Sequence, residues 1–309
     1  MVNSINFVVL GDYSIAAELG KKGTTSDIAI YDRKTQDTIY TWTAPITFPD
    51  KIQSLMQAVN MAEYAILNAT KLDKYLGEQI IALDSVEFMD GFILHSYDID
   101  ETKLKTLIKD TSLSNFKFLD NLDQFKQLLT TLQPKPSAGS LIITSDHAFD
   151  VKGVGTVILG VIKQGRVKIY DELTLLPTGK TIVVKSIQMH DDSVHGSESP
   201  ARVGLAIKGA SADEISRGDI ICQPDTISVS SVPLSVKFKK SSFFKAELAE
   251  NQTYMLSVGL QIKAAKIKQV GDSLEITPEK PMAYRPGEIC VLLKPDSQVT
   301  RIVGKGIIQ

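Results

Sequence analysis

A glycine that follows an apolar segment is the first residue of this sequence with a spacing suited to phosphate chemistry. Gly11 comes directly after residues 5–10, which are mostly apolar. A phosphate-binding loop needs Gly-x-x-x-x-Gly-Lys-Ser/Thr, because backbone N–H groups wrap the phosphates, the lysine reaches the outer phosphates and the hydroxyl binds Mg²⁺. Counted from Gly11, the last three positions hold Ala16, Ala17 and Glu18. The chemistry of the loop is therefore missing, and the glutamate would repel phosphate.

A second phosphate loop, ending at Gly20–Lys22, fails as well. It lacks the hydroxyl, and Ile15 stands where the first glycine should be. A helix that is capped by Ser14 and ends at Gly20 also shortens the loop. We therefore interpret Gly11 as a turn glycine.

Lysines with aromatic neighbours form one dense cluster in the last third of the chain. Its members are Lys237, Lys239, Lys240, Lys245, Phe238, Phe243 and Phe244. Lysines bind nucleic acid phosphates and aromatic rings stack on unpaired bases, so the four lysines are candidate contacts for an RNA backbone. A barrel strand that buries the aromatic rings and leaves the lysines in water explains the same pattern equally well.

Composition narrows the class of protein. The net charge is −2, so no global positive field attracts nucleic acid; neither DNA nor a membrane is an expected partner, and RNA contact requires a local patch. Cys222 and Cys290 make neither a disulfide framework nor a metal site, and the apolar start is a strand rather than a signal peptide, which indicates a cytoplasmic protein. The loop 190–195 has two histidines but no fourth fixed ligand, so no metal is expected.

The elements that must position these residues change in kind along the chain. Up to residue 132, apolar strands alternate with amphipathic helices, which predicts a parallel sheet with helices on both faces. The strands are predicted at 5–10, 28–31, 38–42, 64–67 and 91–94, and the helices at 49–60, 75–83, 104–108 and 122–132.

From Leu141 onward the predicted strands are short, β-branched and separated by Gly, Asp and Asn turns, which is typical of antiparallel barrels. Two prolines and small polar residues mark a linker before them, and a boundary near Asp225 divides the barrels. The predicted fold is an α/β parallel-sheet domain at 1–132, a linker at 133–139, and antiparallel β-barrels at 140–228 and 229–309.

The glycine spacing of the first barrel carries a family resemblance. Residues 153–165, GVGTVILGVIKQG, resemble the G-x-G-T-V-x-x-G-x-(V/I)-x-x-G signature of the second domain of elongation factor Tu and its relatives. Residues 184–190 and 214–221 fit the same domain, the former with a particular likeness to SelB, the factor for selenocysteinyl-tRNA. Residues 285–288 and 301–306 are similar to the closing strands of the third SelB domain. Over its whole length the chain resembles SelB-like translation elongation factors, among them the archaeal group called EF-Pyl.

For the first domain the resemblance implies a guanine nucleotide site that has lost its metal-binding and base-reading motifs. The metal-binding Asp-x-Pro-Gly maps onto residues 43–46, TAPI, and the base-reading Asn-Lys-x-Asp maps onto 95–98, which keeps only Asp98. Thr24 or Thr25 corresponds to the switch threonine. Without the lysine and the metal ligands we expect a degenerate GTPase domain and no cofactor. GTP and magnesium would bind only in an atypical way, at the helix start near Ser14.

For the second domain the resemblance implies the small pocket that receives the selenocysteinyl group in SelB. Its residue types are present as Asp146, His147 and Arg202. A guanidinium and an imidazolium stabilise an anionic selenolate, and the aspartate orients the imidazole. The same groups suit another polar aminoacyl group or the terminal ribose of a tRNA. Alternatively, Asp146 caps a turn, His147 packs on the barrel end and Arg202 makes a surface ion pair.

The implied function is that of a SelB-like paralogue that binds tRNA or aminoacyl-tRNA through its barrels, with the ribosome as a further candidate partner and with GTP hydrolysis lost. Two alternatives stay open. One is a regulatory protein that competes with elongation factors for a ribosomal or protein partner and binds no tRNA. The other is an atypical GTP-binding factor with slow hydrolysis.

Overall fold

The first domain is built on one seven-stranded sheet. The computed structural model describes residues 2–230, 232–250, 252–271 and 273–309. The strands of the sheet are β1 (Asn3–Gly11), β2 (Lys21–Thr25), β3 (Ala29–Lys34), β4 (Thr38–Ala44), β5 (Tyr64–Ala69), β6 (Gly91–His95) and β7 (Lys117–Phe118). They lie in the order β2-β3-β4-β1-β5-β6-β7, and the last five of these are parallel.

The sheet is parallel over five strands, as predicted, and antiparallel at one edge. β3 is antiparallel to β2 and to β4, so the edge of the sheet is a meander. The physical reason is length: parallel neighbours need a crossover of about a dozen residues or more, and only three residues separate β2 from β3 and β3 from β4.

Helices cover both faces of the sheet, as the alternation predicts. They are α1 (Ala16–Leu19), α2 (Ile52–Asn60), α3 (Lys74–Ser85), α4 (Glu101–Ile108) and α5 (Leu122–Leu128). Leu55 of α2 and Ile80 of α3 pack on one face, and Leu19 and Phe125 pack on the other face. No helix within the described ranges is long and apolar enough to cross a membrane.

The second half of the chain forms two six-stranded antiparallel barrels, which confirms the predicted fold class. The middle barrel closes in the order β8-β9-β15-β12-β11-β16, and the last barrel in the order β18-β21-β20-β19-β23-β24. The strands of this half are β8 (Ile142–Val151), β9 (Gly155–Gln164), β10 (Arg166–Lys168), β11 (Glu172–Leu176), β12 (Lys180–Met189), β13 (Asp192–Val194), β14 (Gly196–Glu198), β15 (Arg202–Lys208), β16 (Ile220–Cys222), β17 (Ser228–Val229), β18 (Leu234–Lys240), β19 (Tyr254–Val258), β20 (Gln261–Val270), β21 (Ser273–Pro278), β22 (Ala283–Tyr284), β23 (Ile289–Leu293) and β24 (Ile302–Ile308). Residues 133–139, the predicted linker, contain neither helix nor strand.

Backbone geometry explains the glycine spacing of the middle barrel. Gly153, Gly155 and Gly165 have φ values of +84°, +100° and +72°, which residues other than glycine rarely adopt. Gly160 is needed for another reason, because a Cβ atom there would lie 2.6 Å from the carbonyl oxygen of Thr144 on the neighbouring strand. The signature therefore records turns and a close strand approach.

The last barrel packs on α3 of the first domain through apolar side chains and one buried ion pair. Leu293 and Ile302 belong to the same apolar cluster as Leu83. Beside them, Glu78 Oε2 lies 3.1 Å from Nε of Arg301, and Glu78 Oε1 accepts the backbone N–H of Arg301 at 2.8 Å. The two side chains are only 6% and 13% exposed, so water screens this pair weakly.

Candidate functional site

Three side chains of the middle barrel that the resemblance predicts as a pocket do meet in space. The guanidinium of Arg202, on β15, donates to the Asp146 carboxylate from Nε at 2.8 Å and from Nη2 at 2.9 Å. His147 Nδ1 lies 2.9 Å from the same carboxylate. Asp146 therefore binds Arg202 in the two-pronged geometry of strong carboxylate–guanidinium pairs rather than capping a turn.

A β-bulge interrupts the pairing of β8 with β9 at the aspartate. In the pairing of β8 with β9, Ser145 lies opposite Gly160 and His147 lies opposite Leu159, so Asp146 is the extra residue. The side chain of Asp146 is 1% exposed, and that of His147 is 24% exposed. Sequence reasoning placed both residues in one pocket but gave no sign of this irregularity.

The electrostatics of the cluster hold Asp146 charged. Burial would raise the pKa of its carboxyl, but the charge of Arg202 and hydrogen bonds from His147 and Arg202 outweigh burial and lower the pKa to about 2. Burial works against the charge of Arg202 as well, and the Asp146 carboxylate outweighs it and raises the pKa of the guanidinium. The two residues form a fixed pair that is electrically neutral overall.

Arg202 also lines a cleft between the first domain and the middle barrel, which we call the interdomain cleft. One wall is α1 with the β2–β3 hairpin, and the other is the β8–β9 hairpin with parts of β12 and β15. The cleft has a volume of about 980 Å³, at the upper end of the range for ligand pockets. Neither Asp146 nor His147 lines it, so Arg202 is the member of the cluster that a ligand in the cleft would touch.

The two walls of the interdomain cleft differ in character. The first-domain wall carries the cations Lys21, Lys22, Arg33 and Lys34 beside the acidic residues Glu18 and Asp32. On the barrel wall, the β8–β9 hairpin presents apolar side chains that include Phe149 and Val154. Phe149 is 42% and Val154 41% exposed. Sequence reasoning considered the two lysines only as part of a phosphate loop and missed Arg33. The chemical signal was present in the run of cations on β2 and β3.

An arginine that sequence reasoning did not single out joins the cluster to the first domain. Nη1 of Arg217 lies 2.6 and 2.8 Å from the carboxylate oxygens of Asp27 and 3.1 Å from Oε1 of Gln57. Its Nε donates to the backbone carbonyl of Asp146 at 3.1 Å. Burial would raise the pKa of the Asp27 carboxyl, but the hydrogen bond and charge of Arg217 outweigh burial and lower it. The middle barrel and the first domain are thus held together beside the cleft.

The loop after β1 has its backbone donors occupied by protein acceptors. The N–H of Gly11 donates to Oε1 of Gln79 at 2.9 Å, and the N–H of Asp12 donates to the carbonyl of Asn68 at 2.9 Å. The Asp12 carboxylate accepts the N–H of Ser14 at 3.0 Å. The predicted cap at Ser14 is therefore wrong, because the helix begins with a 3₁₀ turn whose cap is Asp12.

Of the predicted remnants of a nucleotide site, Gly11 has a φ of +76°, as a turn glycine requires. Thr24 lines the interdomain cleft, and Thr25 is exposed at the end of β2. Asp98 is an exposed turn residue after β6, and a hydrogen bond from the Ser96 hydroxyl lowers the pKa of its carboxyl. Gly11 thus ends β1, Thr24 and Thr25 are neighbours on β2, and Asp98 follows β6.

The predicted RNA-binding lysines lie on β18 and the loop that follows it. Lys237 and Lys239 are exposed, while Lys240 Nζ donates to the carbonyl of Ala246 and Lys245 Nζ to that of Ser242. Of the aromatic residues in the cluster, Phe244 is buried, Phe238 is half-buried and Phe243 is 55% exposed. Contact of these lysines with RNA stays a prediction.

Comparison with known proteins shows what this chain is similar to. The family model described as elongation factor Tu domain 2 matches residues 155–222. Uncharacterized protein MJ0325 of Methanocaldococcus jannaschii is 32% identical over 296 residues, which are 94% of this chain and 95% of that protein. The selenocysteine-specific elongation factor of the same organism is 29% identical over 225 residues, which are 64% of this chain and 48% of that factor.

Among solved structures, translation elongation factor SelB from Methanococcus maripaludis in complex with the GTP analogue GppNHp has a TM-score of 0.85 with this chain at 23% identity. The match covers 100% of this chain and 79% of that chain. The apo form of the same factor gives a TM-score of 0.82 at 24% identity, with 100% and 80% of the two chains covered.

The α/β domain, the two barrels and the match to elongation factor Tu domain 2 together define a SelB-like protein of the elongation factor Tu superfamily. Within that class, the match to MJ0325 extends over nearly the whole of both proteins, so the chain belongs to the same family as MJ0325.

Proposed function

We propose that this protein binds the 3′ end of tRNA or aminoacyl-tRNA in the interdomain cleft, in the cytoplasm, and that its first domain is a scaffold that neither binds nor hydrolyses GTP. The observation that carries this proposal is the Arg202 guanidinium at the wall of a cleft of about 980 Å³. The ribosome is a further candidate partner.

The state of Arg202 suggests what it recognises. A guanidinium has five N–H donors, and the contacts from Nε and Nη2 to Asp146 leave donors for a ligand. Because the Arg202–Asp146 pair is neutral overall, it suits a ligand oxygen without a full negative charge, such as an ester carbonyl or a ribose hydroxyl. This favours the aminoacyl ester or the terminal ribose over a selenolate as the group that Arg202 contacts.

The loop after β1 supports the loss of nucleotide binding. In a phosphate loop, backbone N–H groups point at the phosphates. Here the donors of Gly11, Asp12 and Ser14 have protein acceptors, and one acceptor is a carboxylate. A phosphate in this place would displace those bonds and meet a negative charge.

Binding of 5′-labelled tRNA, aminoacylated and bare, followed by fluorescence anisotropy tests the ligand. Wild type is compared with the double variant Asp146→Asn/Arg202→Gln, which removes both charges at once and leaves no unpaired ion. The matched control, Arg166→Gln/Glu198→Gln, makes the same exchange in a barrel ion pair outside the interdomain cleft.

We expect the first double variant to bind tRNA about 10- to 100-fold more weakly, the effect of losing one hydrogen bond to a charged group. The control should bind like wild type. Equal affinities of all three proteins would contradict the role of Arg202. No tRNA binding by the wild type at low salt would favour the regulatory protein that competes for a ribosomal or protein partner.

Equilibrium binding of a fluorescent GTP analogue, with and without Mg²⁺, tests the scaffold role of the first domain. We expect no saturable binding in the micromolar range in either condition. Micromolar binding that requires Mg²⁺ would show an atypical GTP-binding factor instead.

A further inference from the structure

A second groove, which the proposed function does not use, lies at the base of the β12–β13 hairpin. It has a volume of about 560 Å³, and we call it the basal groove. The hairpin separates it from the interdomain cleft: His190 and Asp191, at the turn, line the cleft, whereas Met189 and Asp192, on either side of that turn, line the groove.

The floor of the basal groove is aliphatic. Ile39 of β4 is 8% exposed and Met189 of β12 is 7% exposed, and both side chains belong to the apolar cluster of the middle barrel. Val194 is half-buried and packs on the same cluster, and Val2 forms the outer part of the floor with 36% of its surface exposed. An apolar side chain that covered Val2 and Val194 would remove their surface from water, which favours binding.

The rim of the basal groove carries three basic side chains, of which two have carboxylate partners. Lys34 pairs with Asp192, and Nε of Arg166 donates to Oε2 of Glu198 at 3.1 Å. Lys168 is the third, so the rim has one cation more than it has carboxylates in ion pairs.

Lys168 is the cation of the rim that is available to a ligand. It is exposed, and within residues 2–230, 232–250, 252–271 and 273–309 no carboxylate lies within 4.0 Å of its ammonium group. Asp171 accepts only the backbone N–H of Lys168, at 2.7 Å. Opposite Lys168 stands Gly196, where a Cβ atom would lie 3.5 Å from Cγ of the lysine, so the glycine leaves space beside the lysine stem. An anionic ligand therefore meets a free cation and breaks no existing pair.

The shape of the basal groove favours an extended ligand. The groove continues into a second hollow of about 280 Å³, with which it shares Val2, Met189 and Gly196. That hollow reaches the linker prolines Pro134 and Pro136. Small-molecule sites enclose most of their ligand, whereas peptides bind as extended chains along grooves with pockets for single side chains.

The lining favours protein over RNA as the occupant. Proteins bind single-stranded RNA by stacking its bases on aromatic rings, and no Phe, Tyr or Trp of the described residues lines either hollow. The Asp192 carboxylate at the rim would also repel a row of phosphates. An aliphatic floor beside one unpaired ammonium suits a peptide with an apolar side chain and a carboxylate.

We propose that the basal groove binds an extended, acidic segment of a partner protein, with one large apolar side chain against Val194 and a carboxylate at Lys168. This goes beyond the proposed function and does not depend on it, because tRNA is assigned to the interdomain cleft on the other side of the hairpin.

Selection from a phage library of random 12-residue peptides tests the proposal on the full chain. Phages that bind wild type are depleted of those that also bind Lys168→Glu/Val194→Ser, and the enriched peptides are synthesised with a fluorescein label. Their affinities for wild type and for each single variant are then measured by anisotropy. The controls are Lys208→Glu and Val270→Ser, which change an exposed lysine of the middle barrel and an exposed valine of the last barrel outside both hollows.

We expect the enriched peptides to be acidic and to share a large apolar residue. Lys168→Glu should weaken their binding about fivefold or more at low salt, and less at high salt, because exposed charges are screened. Val194→Ser should weaken it about tenfold at any salt concentration, since it removes two methyl groups from the contact. Both controls should bind the peptides like wild type, and all four variants should bind tRNA like wild type.

Three results would overturn the proposal. The first is a selection that enriches no peptide, and the second is a set of enriched peptides whose affinity neither groove variant changes. The third is weaker tRNA binding by Lys168→Glu without any enriched peptide, which would assign the groove to RNA. Urea unfolding followed by Trp42 fluorescence checks that Val194→Ser is folded, and Lys168→Glu changes an exposed side chain, so the test holds even if the valine variant unfolds.

Discussion

Removal of the Arg301 guanidinium should destabilise the first domain, although Arg301 belongs to the last barrel. The substitution Arg301→Met keeps most of the apolar length of the side chain. It removes Nε, which lies 3.1 and 3.2 Å from the two Glu78 carboxylate oxygens, and Nη2, which also donates to that carboxylate, and it leaves the carboxylate one backbone N–H at 2.8 Å. A carboxylate that is only 6% exposed then lacks its counter-charge.

The expected cost is about 3–5 kcal/mol, the usual effect of breaking a buried ion pair from one side. The double variant Glu78→Gln/Arg301→Met removes both charges, so it should recover about half of that loss or more. A thermodynamic cycle of the four proteins then gives the interaction energy of the pair.

Urea unfolding followed by Trp42 fluorescence measures the effect. Trp42 is the one tryptophan of the sequence and is fully buried in the first domain. With a urea dependence of about 3 kcal/mol per molar, the midpoint should fall by about 1 to 1.7 M. Since probe and substitution lie in different domains, a shift of this size also means that the domains unfold together.

Arg166→Met is the matched control, because Arg166 and Glu198 form an ion pair whose side chains are 48% and 44% exposed. Exposed pairs contribute about 1 kcal/mol or less. If Arg301→Met shifts the Trp42 transition no further than Arg166→Met does, burial of the pair does not stabilise the domain contact and the reasoning is refuted.

Three further predictions concern single residues. The folded-state pKa of Asp146 is lowered to about 2 from 3.8, so its ionisation should add about 2 kcal/mol to the free energy of unfolding above pH 4. This stability should be lost as the pH falls through 2, and acid unfolding of Asp146→Asn/Arg202→Gln should lack the loss. Burial raises the pKa of the thiols of Cys222 and Cys290 to about 11 and about 12, so a thiol reagent at pH 8 should label neither in the folded protein and both in urea; rapid labelling without urea would contradict this. Gly11→Ala should cost at least about 2 kcal/mol in urea unfolding, because φ is +76° and the added Cβ would lie 2.0 Å from the Asn68 carbonyl oxygen; a smaller cost would mean that the loop relaxes freely.

The periodicity of the apolar residues and the residue types at the turns made most of the fold predictable. Apolar segments such as 64–67 became strands because they are buried on both faces of the sheet. The glycines from Gly153 to Gly165 indicated the middle barrel because their backbone angles and close contacts exclude other residues. The antiparallel edge of the sheet could also have been predicted, since the three-residue connections on either side of β3 are too short for crossovers.

The partners of polar side chains could not be predicted from the sequence. Arg217 is separated by 190 residues from Asp27, and local pattern does not encode such a distant pairing. Asp146 and Arg202 were predicted as a pair only through a family resemblance, and the bulge at Asp146 left no pattern in residue type. The same limit hid the stacking of Arg33 on Tyr40 and Trp42.

The bonds of Arg217 have a consequence for the mobility of the molecule. Because one guanidinium binds Asp27, Gln57 and the backbone of Asp146, we expect the first domain and the middle barrel to keep one relative position without any effector. A ligand then meets a preorganised receptor, and little of its binding free energy is lost in closing the domains. X-ray scattering should accordingly give the protein the same radius of gyration before and after a short oligonucleotide binds, and a contraction on binding would show a receptor that closes.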